Sequence, residues 1–96
     1  MFTLNVYDFE KDEIKKTEKR ALCPSKIYIE FADVNETADK KTGNELIEEL
    51  KAPVMHLFPG LTSEEYDNCL TIGDILGVFY DVVQRAPGIR STNEKN

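Results

Sequence analysis

Phe2, Leu4 and Val6 alternate with Thr3, Asn5 and Tyr7 at the start of the chain, the period-two pattern of a strand with one buried face. Glu10-Lys11-Asp12 supplies polar residues that can turn the chain back, and the return segment from Glu13 to Leu22 is strongly polar and alternates poorly. The pattern predicts a β-hairpin whose second strand carries the lysines that keep an edge from pairing with another molecule. Residues 24–39 read two ways. Ile27, Ile29 and Phe31 alternate like a strand, whereas Ile27, Phe31, Val34 and Ala38 recur at helical spacing over a longer run. Pro24 near a first turn also favours a helix. A helix is the expectation, with residues 26–31 still open to a third strand.

Lys40-Lys41-Thr42-Gly43 reads as a loop. Asn44 is the expected N-cap of a helix whose apolar side is Leu46, Ile47, Leu50, Val54 and Leu57. Pro53 falls inside it and is expected to bend or divide it, because proline has no amide to donate. The apolar run stops at Pro59-Gly60, strong turn punctuation: proline fixes φ, and glycine accepts the left-handed region. Thr62-Ser63-Glu64-Glu65 then fits a capping box that starts a short helix from about Ser63 to Cys69. Thr71 followed by Asp74 repeats that start signal for a last helix, which Pro87-Gly88 ends. The fold class expected is α+β: a small N-terminal β-hairpin followed by three to four packed α-helices. They form a single domain over residues 1–89, with a flexible polar tail over 90–96.

The last helix is the most apolar segment, with Ile72, Ile75, Leu76, Val78, Phe79, Val82 and Val83. It needs cover on more than one side. Ile72, Ile75, Phe79, Val82 and Val83 form one stripe, assigned to the core. Gly73, Leu76, Gly77 and Tyr80 form an adjacent one. Each glycine there costs about 1 kcal/mol of helix propensity against alanine, so the space it leaves is expected to be used. Either a neighbouring helix of the same domain or a partner helix could use it.

Composition narrows the function classes. At 96 residues there is room for one core and no second domain, and no apolar run approaches the roughly 20 residues of a membrane span. MFTLNVYDFEKD has no basic start leading into an apolar core, so no secretory signal is expected. The net charge is −6. Residues 10–20 carry five basic against four acidic side chains, whereas residues 44–81 carry eight acidic side chains against Lys51 alone. That acidic half argues against nucleic acid, whose phosphates need clustered Lys and Arg. It suits a basic protein partner or a solvated surface.

Candidate chemistry is sparse. His56 has no carboxylate, Ser or Cys at a spacing that would make it a base or a zinc ligand. Cys23 and Cys69 match no metal or redox spacing and read as free thiols. Asp33, Asn35, Thr37 and Asp39 place oxygens like the start of a calcium loop, but the sixth position is Ala38 and the twelfth Asn44, where an EF-hand needs Gly and Glu. No phosphate loop, nucleophile elbow or paired-carboxylate arrangement is present. The expectation is a non-enzyme with no metal or cofactor.

The stretch from Asn44 to Arg85 carries three elements in order: Met55-His56-Leu57-Phe58, then Leu61-Thr62-Ser63-Glu64-Glu65-Tyr66, then Asp74-Ile75-Leu76-Gly77-Val78-Phe79. It resembles the helical core of the tail assembly chaperones of long-tailed bacteriophages and prophages. In that family an acidic helix runs into an apolar Leu-Phe pair, and a Thr-containing turn, a short acidic helix and an amphipathic last helix follow. The short strands ahead of a helix near Pro24 are similar as well. The resemblance implies a non-catalytic protein of the infected host's cytoplasm that coats the tape measure protein, helps recruit tail tube subunits and is absent from the finished virion. Partner-binding residues would be Gly73, Leu76, Gly77 and Tyr80, with Glu64, Glu65 and Asp67 on an acidic rim, and self-association is a further expectation. A small acidic inhibitor or regulator occupying a basic site on a host protein is the alternative.

Overall fold

The computed structural model describes residues 1–85. An antiparallel hairpin, β1 (Phe2–Asp8) and β2 (Glu13–Arg20), is followed by α1 (Ser25–Glu36), a 3-10 turn (Ala38–Lys40), α2 (Gly43–Leu57), α3 (Ser63–Asn68) and α4 (Ile72–Arg85). This is the α+β arrangement the pattern predicts. The end of the last helix at Pro87-Gly88, the domain limit at 89 and the 90–96 tail lie outside the described residues.

The strands pair from Phe2 opposite Arg20 to Asp8 opposite Glu13, with one irregularity between Val6 and Tyr7 that leaves Lys15 as the extra residue. The Asp8 carboxylate accepts from the amides of Glu10 (3.1 Å) and Lys11 (3.2 Å), and Asp12 completes the reversal at φ 57°. Asp is one of the few non-glycine residues that tolerates that region. Phe2, Leu4 and Val6 are buried. Their cross-strand partners Arg20, Glu18 and Lys16 share the same face. The second strand therefore does alternate, in long charged side chains rather than apolar ones.

Residues 25–36 are helical. Ile29 decides between the two readings: it is 55% exposed while Phe31 is fully buried, which a strand would not allow for residues on one face. Pro24 is the N-cap, and its carbonyl accepts from the amides of Ile27 and Tyr28. Helix α2 starts earlier than expected. Thr42, not Asn44, is its cap, in a full capping box with Glu45 (3.2 and 3.0 Å). Glu45 stands three residues beyond Thr42, the spacing the reciprocal bonds need, whereas Ile47 stands three beyond Asn44. Pro53 does not divide the helix. It is buried in line with Leu50, Val54 and Leu57, so its ring adds core contact where its amide is missing.

The Pro59-Gly60 turn closes with the Leu61 amide donating to the Phe58 carbonyl at 2.9 Å. No described glycine has a positive φ, so the left-handed role expected of Gly60 is not what it supplies. A Cβ there would lie 2.8 Å from Glu18 Oε1. Gly60 is small because β2 passes over it.

In α4, Thr71 Oγ1 accepts from the Asp74 amide at 3.1 Å, as its cap position predicts. The Asp74 carboxylate turns instead to the Tyr7 hydroxyl, which donates to it at 2.7 Å. Ile75, Val78, Phe79 and Val82 are buried. Ile72, assigned to the core from its spacing, is 61% exposed although the buried Phe79 lies seven residues on along the same stripe; it is the first residue of α4, at the end of the helix. All elements except β2 and the 3-10 turn contribute to one buried apolar cluster. Phe79 is among its largest fully buried side chains. Phe79→Ala is expected to remove about 3–5 kcal/mol of stability, a large share of what a domain this size holds. Urea unfolding followed by circular dichroism measures it; a loss below about 1 kcal/mol would mean the site collapses onto its neighbours.

Candidate partner-binding surfaces

The structure separates the seven candidate residues into three environments. Gly73 and Gly77 are exposed on α4, and a Cβ at either would meet nothing within 4 Å among the described residues. No described helix uses the space they leave. Tyr80, 51% exposed, extends the same face, with its ring 5.3 Å from that of Phe79. Leu76 is half-buried and packs against the core cluster, so it floors this face rather than standing on it. The exposed Ile72 adds apolar surface that its spacing had assigned to the interior. An open groove of about 310 Å³ runs beside Tyr80, lined by Asn35, Ala38, Asp39, Leu46, Phe79 and Tyr80.

Glu64 and Asp67 are exposed on α3. Asp67 accepts from Lys51 Nζ at 2.9 and 3.0 Å, and Lys51 also lies 5.9 Å from the centre of the Tyr66 ring. Asp67, Lys51 and Tyr66, with Ile47 and Glu48, line an open groove of about 500 Å³ between α2 and α3. Tyr66 anchors its floor by donating to the Ile47 carbonyl at 2.6 Å. Burial pushes the Tyr66 phenol up, and the Asp67 carboxylate adds to the shift, so this tyrosine serves as a neutral donor.

Glu65 belongs to neither surface. It is 8% exposed, and both its oxygens are engaged within the chain. Oε1 accepts from the Thr62 amide at 3.0 Å and lies 3.2 Å from Lys16 Nζ, while Oε2 lies 3.2 Å from Lys15 Nζ. These bonds, the Thr62 amide first and the two ammonium groups after it, hold the carboxyl down at about 2 against the opposing effect of burial. Lys16 also donates to the Gly60 carbonyl at 3.0 Å, and Arg20 donates to the Leu57 carbonyl at 2.9 Å and the His56 carbonyl at 3.4 Å. Arg20 thus meets carbonyls at the end of α2, where the helix dipole favours positive charge, and Lys16 meets one in the turn that follows.

His56 is exposed and pairs with Glu30 on α1 through Nδ1 at 2.8 Å. Cys23 and Cys69 are free and half-buried, and burial pushes the Cys23 thiol up. Among the described residues, no group of three or more His, Cys, Asp and Glu side chains is placed to hold a metal ion, and no helix is long and apolar enough to cross a membrane. No family model, curated protein or solved structure matches the chain.

The Glu65 contacts set a pH dependence. A carboxyl held below its ordinary value of 4.5 in the fold stabilises the fold when ionised in both states. That stabilisation is present above about pH 4.5 and fades as pH falls towards 2. Thermal melts at pH 6 and pH 2.5 are expected to differ more for the wild type than for Glu65→Gln. Equal acid sensitivity in the two proteins would show that other carboxylates govern it.

Proposed function

We propose that this chain is a non-catalytic assembly chaperone of long-tailed phages or prophages. It binds a helical stretch of the tape measure protein, helps recruit tail tube subunits, works in the cytoplasm of the bacterial host and is absent from the finished particle. The observation that carries this reading is the face of α4 with Ile72, Gly73, Gly77 and Tyr80. It bears two glycines, each unfavourable in a helix by about 1 kcal/mol, and no described residue occupies the space above them. An amphipathic helix fits such a face by laying its own apolar side along it. The acidic residues of α2 and α3 then orient a partner with basic flanks. The sequence resemblance over residues 44–85 supports the same reading.

A second reading, a small acidic inhibitor of a basic host protein, draws on the α2–α3 groove, where Glu48 and Asp67 flank Tyr66. The two readings differ in the surface that supplies the affinity: the α4 face in the first, the α2–α3 groove in the second. Co-expression pull-down with a tape measure protein tests the first, and Gly77→Leu refines it. The Cβ of the new side chain meets no described atom within 4 Å and the substitution raises helix propensity, so the fold is expected to be retained and tape measure binding lost. Retained binding would remove this face from the mechanism. Glu48→Lys, in contrast, is expected to slow tape measure capture without preventing it, because a rim charge acts mainly on the association rate, while abolishing binding to a basic partner.

Self-association follows from the same exposed apolar surface, since such patches mark contact sites. Light scattering over a wide concentration range is expected to show dimers or larger species, reduced by Tyr80→Ser. A strict monomer throughout would count against it.

A further inference from the structure

We draw no further inference here: the strongest candidate, the unpartnered face of α4 formed by Ile72, Gly73, Gly77 and Tyr80, belongs to the surface already described, and nothing in the structure shows what else covers it.

Discussion

Helix α4 buries Ile75, Val78, Phe79 and Val82 together, and β1, α1 and α2 all pack against it. A short chain has few elements with which to cover so apolar a helix, and that shortage shapes the arrangement. The hairpin contributes its one apolar row, Phe2, Leu4 and Val6. Helix α1 contributes Phe31 and Val34, and α2 contributes Leu50, Pro53, Val54 and Leu57. Once these are placed, the side of α4 bearing the glycines is left over. Among the described residues, its openness is what remains after the available cover has been spent on the larger side chains.

Strand β2 works differently from its partner. It has almost no apolar residues to bury, yet its inner row faces the end of α2 and the segment that joins it to α3. Lys16 and Arg20 meet backbone carbonyls there, Glu18 packs beside Gly60, and Glu65 draws in Lys15 and Lys16. Isolated exposed ion pairs contribute little. Here, however, one nearly buried carboxylate serves a helix cap and two ammonium groups at once, and losing it would leave the Thr62 amide without its cap partner. The hairpin is fastened at its other end by the Tyr7 amide, which donates to the Cys69 carbonyl at 2.8 Å, and by the Tyr7 hydroxyl on Asp74.

Features set by neighbours in sequence were legible. The buried face of β1, the capping box at Thr62 and the cap at Thr71 each depend on residues within a few positions. The cap at Thr42 was legible too, in the Glu45 three residues on, but Asn44 is an equally good capping type and drew the assignment. What could not be read depends on distant partners. The charged row of β2 looks patternless until the segment around Gly60, some forty residues later, is laid beneath it. Ile72 looks like core because spacing gives the side of a helix, not how much cover its first residue receives. For the candidate surfaces, spacing alone placed Gly73, Gly77 and Tyr80 on one side of α4. Glu64 and Glu65 are neighbours of the same type with opposite fates, and the difference lies in position: Glu65 is the third residue of its helix, where a carboxylate folds back on the cap.

The close approach at Gly60 ties two positions that lie far apart in the chain. A side chain at 60 would compete with the Glu18 carboxylate for one volume, so the cost of Gly60→Ala depends on what stands at 18. With Glu18 shortened to Ser or Ala, the added methyl group finds room and its cost falls. With Glu18 kept, the carboxylate must swing away, and its contact with Lys16 at 3.1 Å goes with it. The two substitutions are therefore non-additive. A lineage that loses the glycine has an easier path if the glutamate has gone first, which makes residues 18 and 60 a pair expected to change together.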